Sequence, residues 1–168
     1  MGNLSDTNIT IPFEHMKGFM SITYFTSAAG GNANDNAWRV INQNTNATIV
    51  LNGITGASYS GNQVTLPVGH YIMRYNRSFS VTNYTQFALY NVTDDVYTYG
   101  PSCKMGNSSA TFDNNVIVFE SPIEVVTSSK VFEMRYKCRV DRATDGMGRD
   151  MGSDNCHGQW VIMQVKVG

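Results

Sequence analysis

Residues 131–140 read Val-Phe-Glu-Met-Arg-Tyr-Lys-Cys-Arg-Val, so Phe132, Met134, Tyr136, Cys138 and Val140 alternate with Glu133, Arg135, Lys137 and Arg139. A period of two describes a strand with one dry face and one wet face. Residues 160–167, Trp-Val-Ile-Met-Gln-Val-Lys-Val, are built differently: Val161, Met163, Val165 and Val167 share one face, while Trp160 and Ile162 stand on the other. An antiparallel strand that is apolar on both sides has two surfaces to cover, and a single two-sheet core covers only one. The second face is expected to meet another copy of the chain.

Other segments divide into the same two kinds. Residues 19–26 put Met20, Ile22 and Tyr24 on one face and Phe19 and Phe25 on the other, and residues 116–119 (Val-Ile-Val-Phe) are apolar on both. Residues 68–77 set Tyr71, Met73 and Tyr75 against His70, Ile72 and Arg74. Residues 84–92 and 95–99 form an expected hairpin across Asn91-Val-Thr-Asp-Asp, with Phe87 and Leu89 as its apolar positions. Shorter strands are expected at 37–41, 48–51 and 58–66, the last interrupted by Gly61 and ended by Pro67, and residues 100–115 read as a long polar connection.

Nine or ten short strands and no helix predict an all-β chain of two packed antiparallel sheets, one solvated and one covered twice. If each copy hides one sheet face near a common axis, a closed ring results, and three is the natural number for wedge-shaped sandwiches. The expectation is a homotrimer with Trp160, Ile162 and Ile72 at its axis. Tyr71, Met73, Phe132, Met134, Tyr136, Val161 and Val165 are then assigned to the intrachain core. Residues 1–18 carry few apolar side chains and no period, and read as an extended arm ahead of a single domain at 19–168.

Composition narrows the function classes. A chain of 168 residues is large enough for one core without staples. Charged residues make up 15% and the net charge is -1, so no basic surplus exists for phosphate backbones and no nucleic-acid partner is expected. The start lacks a charged segment followed by an apolar run, and no window reaches the roughly 20 apolar residues of a membrane helix; neither secretion nor a membrane partner is expected. Of Cys103, Cys138 and Cys156, Cys138 lies on a dry face and reads as a buried free thiol, with a Cys138 to Cys156 bridge as the alternative. Seven Asn-x-Ser/Thr triplets are ordinary for so Asn- and Thr-rich a chain.

Catalytic chemistry finds little to stand on. Asp141, Asp145, Asp150 and Asp154 share one Gly-rich segment but lack the spacing of a calcium loop, and Arg139, Arg142 and Arg149 offer them ion pairs instead. Cys156 and His157 beside Asp154 have no second Cys/His pair to complete a zinc site, and His15, His70 and His157 stand far apart in sequence. With no phosphate loop, dinucleotide fingerprint or nucleophile elbow, no enzyme activity, cofactor or metal is expected. Tyr59, Tyr84, Tyr97 and Tyr99 read as solvent-edge strand residues, with stacking on sugars or contact with proteins as the alternative.

Three segments carry a family resemblance: Gln63-Val-Thr-Leu-Pro-Val-Gly-His-Tyr, Phe87-Ala-Leu-Tyr-Asn-Val-Thr-Asp, and residues 131–148, which end Arg-Ala-Thr-Asp-Gly-Met-Gly. With Ala37-Trp-Arg and Ile54-Thr-Gly-Ala-Ser, they resemble the tumour-necrosis-factor-like jelly-roll domains of tailed-bacteriophage virion proteins, from about residue 19 onward. The resemblance implies a two-sheet antiparallel jelly-roll sandwich, a homotrimer, and a place on the outer surface of a virion assembled in the host cytoplasm. Only about 18 residues precede the first expected strand, too few for a fibre shaft, which favours a capsid decoration (cement) protein over the receptor-binding or carbohydrate-binding tip of a fibre. The major capsid protein is then the expected partner, met through Ile9, Ile11, Pro12 and Phe13 of the arm, with a host surface glycan as the partner under the alternative. A secreted trimeric signalling ligand is a third reading, disfavoured by the lack of a secretory signal.

Overall fold

The computed structural model describes residues 16–26, 37–41, 47–80, 84–104, 114–139 and 155–166. Eleven strands are found among them: β1 (Met16–Thr26), β2 (Arg39–Val40), β3 (Ala47–Asn52), β4 (Ser58–Ser60), β5 (Gln63–Leu66), β6 (Gly69–Ser80), β7 (Tyr84–Asn91), β8 (Val96–Lys104), β9 (Asn114–Val125), β10 (Lys130–Cys138) and β11 (Asn155–Val165). They form two antiparallel sheets, one of five strands in the order β3-β1-β11-β6-β9. The other has six, in the order β4-β5-β10-β7-β8, with β2 added alongside β10. The chain crosses repeatedly between the sheets, which makes the sandwich a jelly roll.

Turn chemistry fixes the short connections. Gly61 and Asn62 both take positive φ (58° and 68°), the geometry of a two-residue hairpin turn whose twist suits the strands it joins. The β7–β8 hairpin closes where Asn91 Oδ1 accepts the Asp94 N–H at 3.1 Å and Asp95 turns at φ 57°. Lys130 Nζ reaches Asp94 at 2.6 Å from the start of β10 and ties that strand to the turn.

β9 is longer than the apolar run at 116–119 suggests. Ile117, Phe119, Ile123 and Val125 are buried, while Val116, Val118, Glu120, Pro122 and Glu124 are exposed, so it alternates over its length. A proline is tolerated there because β9 is an edge strand. β8 likewise continues to Lys104 into what reads as loop, because an edge strand needs no apolar face along its whole length. β1 starts at Met16, so 16–18 belong to the sheet and not to the arm. Ile9, Ile11, Pro12 and Phe13 lie outside the described residues.

The core fills the space between the sheets, and it reverses the two faces assigned to β11. Cross-strand partners in an antiparallel ladder share a face. Trp160 pairs with Ile22 and with Tyr75, Ile162 pairs with Met20 and with Met73, and all six are fully buried inside the chain. Trp160 and Ile162 therefore belong to the intrachain core rather than to a subunit axis. Val161 and Val165, expected inside, point away from it and are half-buried. Bulk decides the matter: the indole meets Tyr75 edge to face at 6.2 Å, and Tyr75 in turn meets Phe87 of the other sheet at 5.2 Å, filling a gap that valine would leave open. Tyr71, Met73, Phe132, Met134 and Tyr136 are buried as expected.

A buried cation sits at one end of this core. Arg77 is fully buried with its guanidinium 4.6 Å from the Tyr24 ring centroid. Its cross-strand partner is Gly158, where a Cβ would fall 2.9 Å from the Asn76 carbonyl oxygen and 3.3 Å from Arg77 Cδ. Only glycine leaves room for the arginine stem. Neither Cys138, which is buried, nor Cys103, which is half-buried, is part of a disulfide.

Candidate functional site

The outer face of the five-stranded sheet is apolar at its centre. One register row runs Phe19, Met163, Ile72, Pro122 across β1, β11, β6 and β9, and the row next to it runs Leu51, Ser21, Val161, Arg74, Glu120 from β3 to β9. Beyond the first lies Met16, Val165, His70, Glu124. Phe19 is 43% and Leu51 57% exposed, with Met16, Ile72, Val161, Met163 and Val165 half-buried around them. Polar pairs border the patch along β6 and β9, His70 beside Glu124 at 3.8 Å and the Arg74–Glu120 ion pair at 3.4 Å. At the other end Gln159 Nε2 donates to Ser21 Oγ at 3.2 Å. An apolar centre inside a polar border is the anatomy of an interface. Of the three residues predicted for such a surface, Ile72 is on it and Trp160 and Ile162 are beneath it.

The outer face of the six-stranded sheet is aromatic and charged. Tyr90 of β7 pairs with Tyr97 of β8 and, on its other side, with Glu133 of β10, so the three side chains share a face. The Tyr90 and Tyr97 rings are 4.6 Å apart, Tyr97 and Tyr99 lie parallel at 5.6 Å, and Trp38, beside β2, meets Tyr97 at 5.7 Å and Tyr99 at 5.5 Å. Arg135 fastens the cluster from β10. Its guanidinium lies 3.6 Å from the Tyr90 ring centroid, donates to Glu133 Oε1 at 2.6 Å and donates to the Tyr97 hydroxyl. Gln63 Nε2 donates to the second Glu133 oxygen at 3.0 Å.

Although alternation places Glu133 on the wet side of β10, it is 4% exposed, roofed by its own partners. Burial works against the Arg135 charge, but the hydrogen bonds with Glu133 and Tyr97 outweigh it and hold Arg135 above its ordinary range. The hydrogen bond to Asp95 at 2.6 Å raises the Tyr90 phenol.

Beside the aromatic cluster, on the same face, a cleft of about 290 Å³ is lined by Tyr84, Gln86, Ser102, Lys137, Cys138 and Arg139. Gln86 Nε2 donates to the Gly100 carbonyl at 2.8 Å. Lys137 and Arg139 are exposed and make no ion pair with a described residue. Of the four tyrosines singled out in the sequence, Tyr97 and Tyr99 stand together and Tyr84 lines the cleft. Tyr59 instead packs against the core. Trp38, Tyr90 and Arg135 were not legible as part of a cluster. The available signal was the β7–β8 hairpin, whose register sets Tyr90 opposite Tyr97.

Among the described residues no group of three or more His, Cys, Asp or Glu side chains is placed to hold a metal ion. Asp141, Asp145, Asp150 and Asp154 lie outside them. No helix among the described residues is long and apolar enough to cross a membrane.

No protein-family model matches the chain, and no curated protein does. Among solved structures it is similar to the crystal structure of murine APRIL at pH 8.0, with a TM-score of 0.51 and 9% identity over 88% of this chain and 98% of that one. APRIL is a jelly roll of the tumour-necrosis-factor family. At that identity the likeness is one of fold, and it agrees with the sheet orders above: the chain is a tumour-necrosis-factor-like jelly-roll sandwich.

Proposed function

We propose that the chain works as a homotrimer in which the outer faces of the five-stranded sheets pack around a three-fold axis, and that this trimer decorates the capsid of a tailed bacteriophage. The observation that carries the assembly is the apolar centre formed by exposed Phe19 with half-buried Met163, Ile72 and Val161, bordered by charged side chains along β6 and β9, on a sheet whose other face is already filled by the core. Trimers are the usual assembly of this fold. The virion assignment is supported by the sequence segments that resemble phage jelly rolls, above all Leu89-Tyr-Asn-Val-Thr-Asp, which form the β7–β8 turn. Residues 1–15 supply the capsid contact, with Ile9, Ile11, Pro12 and Phe13 burying against the major capsid protein.

The test has two stages. Light scattering of the purified chain should give three times the single-chain mass of 18.6 kDa. The trimer should then co-sediment with capsids lacking it and raise their resistance to heat, and deletion of 1–15 should abolish co-sedimentation while leaving the trimer. A monomer would overturn the assembly. A trimer that ignores capsids but binds whole bacterial cells would replace decoration with a fibre-tip role.

A further inference from the structure

We infer that the outer face of the six-stranded sheet binds an acidic saccharide, with a sugar ring against Trp38, Tyr97 and Tyr99 and its carboxylate held by Lys137 and Arg139.

The argument begins with surface left uncommitted. Tyr99 is 60% exposed, and it stands with Trp38 and Tyr97 in an aromatic group open to solvent. Aromatic faces carry partial negative charge and attract the polarised C–H groups that line one side of a pyranose ring. The group is also stiff. Tyr97 is fixed by Arg135 through its hydroxyl and by Tyr90 through its ring, while Arg135 is fixed by the buried Glu133. A platform held in this way loses little freedom when a ligand settles on it.

The second observation is charge. Gln86 pairs with Lys137 on one side and with Ser102 on the other, one row along from the row that joins Arg135, Ala88 and Tyr99. Adjacent rows on one face lie roughly 7 Å apart along the strands, so the row that holds Lys137 is the next one to the row that holds Tyr99. There Lys137 and Arg139 make no ion pair with a described residue, whereas Arg74, Lys130 and Arg135 each have a carboxylate. Two exposed cations beside hydrogen-bonding Gln86 and Ser102 suit a carboxylate flanked by hydroxyls. They are too few to follow a nucleic-acid backbone.

This site does not rest on the capsid reading. It lies on the sheet opposite the proposed trimer face, so a trimer presents three copies outward and gains avidity from them.

The full chain is titrated calorimetrically with a galacturonate trisaccharide, with 3′-sialyllactose, and with lactose as the neutral control. At least one acidic sugar should bind, and lactose should bind about tenfold more weakly or not at all. Tyr99→Ala, at an exposed position, should keep the wild-type circular dichroism and melting temperature and weaken acidic-sugar binding about tenfold. Lys137→Gln should bring the acidic sugar down to the level of lactose. The inference is overturned if neither acidic sugar binds in the millimolar range, if both variants bind as the wild type does, or if Tyr99→Ala removes instead the binding of a protein or an oligonucleotide. Trimer mass is unaffected by any of these outcomes, so the two readings fail separately.

Discussion

Replacing Phe19 by aspartate sets the proposed assembly against the fold that supports it. Phe19 lies at the centre of the five-stranded sheet's outer face with 43% of its surface exposed, in register with Met163. A phenylalanine presents roughly 200 Å², so about 85 Å² remains for a neighbouring subunit to cover. At about 25 cal/mol per Å² that is about 2 kcal/mol per subunit and about 6 per trimer, or roughly four powers of ten in the association constant. Placing a carboxylate in the same contact adds its own desolvation cost. In the isolated chain the side chain already faces solvent, so stability should change by about 0.5 kcal/mol or less. The expected result is a folded protein with the wild-type circular dichroism spectrum and the mass of one chain. If Phe19→Asp keeps the assembly mass of the wild type across micromolar dilution, this face is not the interface and the proposal fails.

Three further outcomes test the interior and the edges. Trp160→Ala should behave in the opposite way, losing about 3 kcal/mol and roughly 6–12 °C of melting temperature, because it opens a cavity between the sheets. The low end is expected because the indole N–H is buried without a partner and gives up nothing when removed. A loss below about 0.5 kcal/mol would return Trp160 to the surface. Tyr59 ionises late, at about 12 against an ordinary 10, chiefly through burial and then through Tyr75, with Arg77 opposing. Its raised pKa favours the folded state up to the ordinary value, and that contribution is lost as pH rises toward 12; Tyr59→Phe should remove a phenolate step near pH 12 from the ultraviolet titration and flatten the alkaline loss. Asp94 is held below its ordinary value, first by its hydrogen bond from Lys130 and also by Asn91, against a smaller opposing effect of burial. Its contribution is present above the ordinary carboxylate range and disappears as pH falls; in Lys130→Met the carboxyl titration seen by NMR should move back up.

Most of the strand pattern was legible because half-buried strands write their burial into alternate positions. Phe132, Met134 and Tyr136 on β10, and Tyr71, Met73 and Tyr75 on β6, fall on the faces that alternation gives them. β11 defeated the same reasoning. When both faces are apolar, period two says that two groups exist but not which turns inward. That is settled by register, which sets Trp160 between Ile22 and Tyr75, two residues far away in sequence. The ends of β8 and β9 were missed for a related reason: edge strands carry polar residues and even a proline that read as loop. Glu133 was misjudged because its burial comes from Arg135, Tyr90 and Gln63 folding over it, which no single strand's pattern contains.

Pro122 has a bearing on growth as well as on pairing. It interrupts the free margin of β9, and Glu120 and Glu124 flank it with negative charge, so a second molecule finds no continuous row of donors and acceptors on which to lay a strand. With sideways addition blocked along β9, the apolar outer face favours joining broad side to broad side, and contacts of that kind around a rotation axis use themselves up once the circle is complete. Such contacts set a stopping rule: a unit that extended along its margin would polymerise without limit, whereas a closed ring has a fixed size.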